Sequence, residues 1–290
     1  MTRRALVVAH RTRPEAVQAR DLVLRELADA GVEPVLATDE STAGSLPEFE
    51  MAIVLGGDGT ILRAAELTRE RGVPMLGVNL GHIGFLAEIE PDNVPAAVQR
   101  LTSGDFEVEE RSTLEVRVLA PDGMRSASWA LNEATMEKTD AATMIEIIVE
   151  VDGRPLSSFG TDGLVLATPT GSTAHAFSGG GPVVWPDVDG LIVVPLAAHA
   201  LFARPLVVGR SSTVAVEVLG RSASDAMLVC DGRRRIAMPA GSRLEVRRSD
   251  LPVRLARLSP APFTWRLVSK FGLSVEGWRG GARYVPGGPA

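Results

Sequence analysis

The 290-residue sequence has one cysteine, Cys230, so no disulfide can form within the chain and a disulfide framework is excluded. Cys230 sits in "AMLVCDG", a predicted strand, and reads as a buried structural thiol rather than a nucleophile. Aromatic residues make up only 4% of the chain, Lys138 and Lys270 are its only lysines, and no basic stretch is interleaved with aromatics. With a formal net charge of −6, nucleic acid is excluded as a main partner. No apolar run approaches the roughly 20 residues of a membrane span. The start, "MTRRALVVAHRTR", returns to charge too soon for a signal-peptide core, and the expectation is a cytoplasmic protein without a membrane partner. His10, His82 and His199 form no metal-ligand spacing with one another or with Cys230, so no zinc site is expected.

What is present is an ordinary 45% of apolar residues, enough for two modest domains. Over residues 1–110 strand-like and helix-like pieces alternate: "ALVVAH", "PEAVQARDLVLRELADAG", "PVLAT", "MAIVLGG", "TILRAAELTRERG", "PMLGVN". Such alternation predicts an α/β domain with a parallel sheet. In the first helical piece Ala16, Ala19, Leu22, Val23, Leu27 and Ala30 recur at three- and four-residue steps and predict a stripe facing the sheet, stopped by Gly31. Over residues 111–260 the period becomes two: "TLEVRVL", "MIEIIVEV", "TVAVEVL", "RLEVRR", "VRLARL", with turn signals "APDG" and "VDGRP". This predicts a mostly antiparallel, all-β second domain. Residues 261–290 carry Trp265, Leu267, Val268 and Phe271 near helical spacing, a C-terminal segment expected to pack back on the first domain.

The segment "LGGDGTILRA", residues 55–64, ends a strand in Gly56-Gly57 and opens a helix after Asp58-Gly59-Thr60. Free backbone N–H groups at a helix start suit a phosphate. The pattern has neither the lysine of a P-loop nor the spacing of the dinucleotide fingerprint. Asp58 is then a puzzle, because two unit charges ~4 Å apart repel by roughly 4 kcal/mol at an effective dielectric near 20. A divalent cation beside the carboxylate would offset that. So would a substrate hydroxyl whose proton Asp58 accepts as the oxygen attacks phosphorus. The plain alternative is an ordinary turn with Asp58 as helix N-cap.

A second motif, "TDGLVLATPTGSTAHAFSGGGPVV" (residues 161–184), sets Thr168, Thr170, Ser172, Thr173 and Ser178 among glycines. The hydroxyls can donate and accept, and Gly171 and Gly179 to Gly181 are expected to let a ligand approach the backbone. "GGDGT" followed by Ile61-Leu62 resembles a signature shared by ATP-NAD kinases, diacylglycerol and sphingosine kinases and, more loosely, 6-phosphofructokinases. The second motif is similar to the "DG…TPTGSTAY…SAGGP" signature of ATP-NAD kinases. "NLGHIGFLAEI", "ERSTLEV", "LNEA", "HALFARPLVV" and "CDGR" follow that family's order over nearly the whole chain.

The resemblance implies transfer of the γ-phosphoryl of ATP, or of polyphosphate, to the adenosine 2′-hydroxyl of NAD, giving NADP, with Mg²⁺ carried in on ATP. Carried over by motif, Asp58 is the general base and Gly56, Gly57, Gly59 and Thr60 the phosphate loop, Gly59 lying also against NAD. Arg63 reaches a phosphate, which its planar fork suits. Asn132 and Glu133 bind NAD, a carboxylate being the usual reader of ribose hydroxyls; without the resemblance the pair would read as a solvated turn. Asp162 contacts the nicotinamide ribose or amide side. Thr173, Ala174, His175, Ala176, Phe177 and Ser178 enclose the adenine half, and Ala197 lines its pocket. The sequence departs from the family at His175, where tyrosine is usual, at Gly179 for alanine, at Arg233, expected to contact NAD where relatives often carry glutamine, and at Gly160 for a basic residue. The family also implies a homodimer or homotetramer assembled through the β domain. A lipid kinase, which needs an apolar acceptor groove, and a non-catalytic NAD(P) sensor are the competing readings; intact Asp58, Gly57 and Gly59 argue against the sensor.

Overall fold

A computed structural model describes residues 2–10, 13–80, 84–200, 203–259 and 262–275. Contacts divide the chain into two units, Met1–Glu109 with Arg254–Ala290, and Glu110–Val253. The first unit holds β1 (Arg4–Ala9), α1 (Pro14–Asp29), β2 (Glu33–Leu36), β3 (Met51–Leu55), α2 (Asp58–Thr68), β4 (Met75–Val78) and α3 (Val94–Ser103). β1 pairs in parallel with β2 and β3, and β3 with β4. All five residues of β3 are buried, as a strand must be when helices cover both faces of a parallel sheet.

α1 starts at Pro14, where a missing N–H costs nothing, and stops at Gly31, whose φ of 68° only glycine adopts freely. Its buried residues are Ala16, Ala19, Val23 and Leu27. Leu22 is half-buried, while Ala30 is an exposed cap beyond the expected stripe. These side chains join Val94, Ala97, Val98 and Leu101 of α3 against Ile53, Leu55, Leu76 and Val78. Gly77 alternates to the other face of β4, where α2 packs. A Cβ there would lie 2.8 Å from Ile61 Cδ1 and 2.9 Å from the Ala87 Cα.

The second unit is built from two antiparallel sheets. One contains β8 (Ile145–Val151), β9 (Arg154–Thr161), β13 (Thr213–Val218) and β16 (Arg243–Arg257) in the order β16-β13-β8-β9, with β5 (Glu107–Leu119) beside β16 and β6 (Arg125–Ala130) beside β5. The other has the order β12-β11-β10-β7-β14-β15, from β7 (Glu133–Lys138), β10 (Gly163–Ala167), β11 (Gly190–Leu196), β12 (Leu206–Gly209), β14 (Ala226–Cys230) and β15 (Arg234–Met238), with the one-turn α4 (His175–Ser178) between β10 and β11. Alternate residues from both sheets, among them Val116, Met136, Ile147, Leu166, Val216 and Leu228, fill one core. The fold is therefore an α/β unit with a parallel sheet and an all-β antiparallel unit, as the two hydrophobic periods predict. The Asp152-Gly153 turn between β8 and β9 has φ of 52° and 74°, which suits the twist of a two-residue hairpin.

Two expectations need correcting. "RLEVRR" and "VRLARL" are not separate strands but one 15-residue strand, β16; the Thr113 hydroxyl holds the Leu251 carbonyl at 2.7 Å just before Pro252, which has no N–H to give. The C-terminal spacing does form a helix, α5 (Phe263–Phe271), but Trp265 is 56% exposed and the fully buried side chain is Arg266. The apolar residues could not reveal this, because a guanidinium is buried only where fixed acceptors await it. Residues 276–290 of the expected C-terminal segment lie outside the described residues.

Gly77→Val should destabilise the protein by about 2 kcal/mol or more, since overpacking against a backbone atom cannot be relieved by a rotamer change. Urea unfolding checks this, and an unchanged midpoint contradicts the packing described.

Candidate active site

In the first unit β3 and β4 are parallel neighbours, and the chain leaves both at the same edge, the carboxyl ends where α/β sheets bind ligands. Gly56 N donates to the Val78 carbonyl at 3.0 Å, tying the two exits together. A Cβ on Gly56 would fall 2.3 Å from Thr60 Oγ1, whereas positions 57 and 59 have nothing within 4 Å. Gly57 is the N-cap of α2, and no side chain caps the helix. Thr60 N turns back to the Gly57 carbonyl at 2.9 Å, and among the described residues the Asp58 and Gly59 amides are left for an anion.

Asp58 is not the N-cap. It is the first residue of α2, and its carboxylate turns away to segment 84–86, where Phe85 N donates to Oδ2 at 3.2 Å and Leu86 N to Oδ1 at 3.1 Å. Gly84 permits this approach, because a Cβ there would be 2.5 Å from Asp58 Oδ1. Each oxygen accepts one of these bonds and, among the described residues, keeps a lone pair free, so the carboxylate is fixed in direction yet can still accept a proton or a hydroxyl hydrogen bond. Arg63 gives Nη1 to Glu66 at 2.9 Å and Nη2 to the carbonyls of Thr38, Asp39 and Ser41.

In the second unit the organising residue is one that motif reading passed over. Asp231, in the left-handed region at φ 51°, has a side chain with 0% exposure. Its carboxylate accepts the backbone N–H groups of Leu131, Asn132 and Glu133, at 2.8–3.3 Å, and Nη2 of Arg234 at 2.7 Å. The Arg234 guanidinium also lies 4.5 Å from the centre of the Trp129 ring. The turn that a bare Asn-Glu pair would leave in solvent is thereby folded inward, and Asn132 and Glu133 are 7% and 8% exposed.

The second motif locks this turn from the other side. Thr168 Oγ1 donates to the Leu131 carbonyl at 2.5 Å, and Thr168 N to that of Asn132 at 2.9 Å. A Cβ on Gly171 would sit 2.0 Å from Asn132 O. Ser172 Oγ bridges the carbonyl and amide of Val184. Positions 179 and 181 face Val194 and the Ala176 carbonyl at 2.8–3.5 Å, and only Gly180, at φ 83°, serves a turn. The expectation that these glycines and hydroxyls face a ligand is corrected here: Gly171, Gly179 and Gly181 admit other parts of the protein, and Thr168 and Ser172 bond backbone.

The Glu133 carboxyl is the group left incompletely satisfied. The His175 backbone N–H favours the charged form of the Glu133 carboxyl, and Oε2 is buried with no hydrogen-bond partner among the described residues. A buried acceptor left unmade costs about 1–3 kcal/mol, so it marks a place where a ligand's donor belongs. Burial first, then the charge of Asp231, pushes Glu133 up to about 8, against a lowering by the His175 amide. The His175 ring contacts Thr135 Oγ1 through Nδ1 at 3.3 Å. Thr173 bonds the Thr170 carbonyl at 3.4 Å, Ala176 is buried, and Phe177 is 42% exposed. Asp162 is half-exposed and paired with Lys138 at 2.7 Å, Ala197 is exposed at φ 48°, and Arg233 is exposed on the turn after Asp231. Cys230 is buried, with its thiol raised to about 11 chiefly by burial, which suits a structural role.

Residues 42–106 match the model of the ATP-NAD kinase N-terminal domain, and residues 131–258 that of the ATP-NAD kinase C-terminal domain. The chain belongs to the ATP-NAD kinase family. It is 54% identical to the NAD kinase of Leifsonia xyli subsp. xyli, over 95% of this chain and 96% of that one. With the NAD kinase of Thermobifida fusca it shares 53% identity, over 97% and 92%. An NAD kinase from Archaeoglobus fulgidus in complex with ATP superposes with a TM-score of 0.72 at 27% identity, covering 92% of this chain and 98% of that one. Yeast NADH kinase complexed with NADH gives a TM-score of 0.87 at 19% identity, over 95% and 89%, a likeness of fold. In this ATP-NAD kinase chain, then, close backbone approach at Gly84 accompanies the placing of the Asp58 carboxylate, and close approach at Gly171 the placing of the Asn132–Glu133 turn.

An acid whose folded pKa is raised binds its proton more tightly when folded. Its stabilising contribution is complete below the unfolded value and is lost as pH rises through the folded one. For Glu133 that window runs from 4.5 to about 8. Glu133→Gln should therefore melt above wild type at alkaline pH, with the gap closing toward about pH 5. Melting curves across this range check it; a pH-independent gap contradicts it.

Proposed function

We propose that the chain transfers the γ-phosphoryl of ATP to the adenosine 2′-hydroxyl of NAD, giving NADP and ADP, and works in the cytoplasm as a homodimer or homotetramer. The observation that carries the reading is the Asp58 carboxylate, held by two backbone amides beside Gly57 and Gly59, against which no described residue packs within 4 Å. Asp58 accepts the proton of the 2′-hydroxyl as that oxygen bonds to the γ-phosphorus and the bond to the ADP oxygen breaks. The backbone at Gly56, Gly57, Gly59 and Thr60 lies against phosphate. Arg63 joins them only by exchanging its carbonyl partners for phosphate oxygens.

Asn132 and Glu133 hold the ribose and base, Glu133 Oε2 taking a donor from the dinucleotide. Thr173, Ala174, His175, Ala176, Phe177 and Ser178 enclose the adenine half with Ala197. Asp162 and Arg233 contact the remaining parts of NAD, Asp162 by giving up its pair with Lys138, whose side chain is 21% exposed. Among the described residues no cluster of three His, Cys, Asp or Glu is arranged to hold a metal. Magnesium belongs on the ATP phosphates, where it screens charge beside Asp58. No helix of the described residues is long and apolar enough to cross a membrane.

Asp58→Asn is isosteric and keeps NAD affinity within a few-fold, while kcat falls by about 10²–10⁴, the usual worth of a positioned base. Steady-state kinetics with calorimetric NAD titration test this. Wild-type turnover in the variant removes Asp58 from the mechanism, and NAD bound without ADP release by the wild type supports the sensor reading instead.

A further inference from the structure

The amides that hold Asp58 belong to a segment, 84–88, that forms neither helix nor strand, so something else must fix the direction of its peptide planes. The Phe85 carbonyl and the Leu86 N–H belong to one rigid peptide unit. On one side of that unit Leu86 N donates to Asp58 Oδ1 at 3.1 Å; on the other, Arg266 Nη1 donates to Phe85 O at 2.8 Å. The same Nη1 lies 3.3 Å from Ala87 O. A hydrogen bond to the carbonyl of a peptide also strengthens its N–H as a donor.

Arg266 is 5% exposed on α5, and the helix is seated by the Phe85 ring, whose centre is 5.8 Å from that of Phe263 and 5.9 Å from that of Phe271. Arg257 holds the next carbonyl, Leu86 O, at 3.0 Å, and therefore a different peptide unit. Glu88 lies 3.5 Å from Arg257 and 4.0 Å from Arg266, compensating two buried guanidinium groups. Burial and Arg257 lower Arg266 to about 10, so it keeps its charge at neutral pH.

We infer that Arg266 is a positioning residue for phosphoryl transfer: from the C-terminal helix it grips the 85–86 peptide and so sets the direction of the Asp58 carboxylate. This rests on Asp58 acting as the base. The test is steady-state kinetics of the full chain as wild type, Arg266→Met, Arg266→Lys, Asp58→Asn and the Asp58→Asn/Arg266→Met double variant, with NAD affinity measured by calorimetry.

Arg266→Met should lower kcat on the order of 10- to 100-fold with the NAD dissociation constant within about twofold, the pattern of a misdirected group rather than a lost substrate contact. Arg266→Lys, which can reach one carbonyl without the fork, should lose less. In the Asp58→Asn background Arg266→Met should cost nothing further, because the two act as a unit. Wild-type kcat in Arg266→Met, or an undiminished loss in the Asp58→Asn background, overturns the inference. If Arg266→Met does not fold, Arg266→Lys decides: reduced kcat at unchanged affinity supports it, and wild-type kcat, or kcat and affinity falling together, overturns it. Failure of the base assignment is read separately, from full turnover by Asp58→Asn alone.

Discussion

The carboxylate of Asp58 accepts two backbone hydrogen bonds from a segment 27 and 28 residues further along the chain, and the first unit is organised around making that contact possible. Parallel pairing of β3 and β4 brings their exits side by side, and the Gly56 to Val78 bond joins them. Gly84 lets the 84–86 backbone approach Asp58, and Gly57 and Gly59 leave the helix start uncovered. A free aspartate there would swing among rotamers and repel phosphate. A clamped one presents a single direction, so that in the proposed role as base the orientation cost is met on folding rather than at each turnover.

The second unit solves a related problem by a different route. Asp231 gathers three consecutive backbone amides, and Thr168 and Gly171 close on the same turn. The outcome is a glutamate 8% exposed with one oxygen unpartnered. Folding tolerates such a group only because the surrounding bonds over-determine its place. Both units thus hold a carboxylate with backbone amides, Asp58 in the first and Asp231 in the second, and in the second the turn so fixed carries Glu133.

The sheet types were legible because hydrophobic period changes from alternating strand and helix pieces to strict period two. The GGDG loop stood out because an acid among glycines poses an electrostatic problem that few chemistries resolve. What the sequence concealed was direction. Nothing in "TPTGSTAHAF" says that Gly171 faces Asn132 O rather than a ligand, and a local motif cannot reveal that Leu86 N points at Asp58. Asp231 was hidden in plain sight: "CDGR" reads as a turn, and its buried carboxylate emerges only when β7 and β14 are paired. Arg266 was masked by its apolar neighbours, since periodicity scores Trp265 and Phe271 as the face to bury and assigns a charge to solvent.

The most direct test is the product. Purified protein given magnesium, ATP and NAD, with diacylglycerol offered in parallel, is analysed by mass spectrometry and phosphorus NMR. The account predicts one new phosphate on the adenosine 2′-oxygen of the dinucleotide, matched by ADP, and none on the lipid. Phosphate on the lipid, on another oxygen of NAD, or on neither acceptor while NAD stays bound would contradict it.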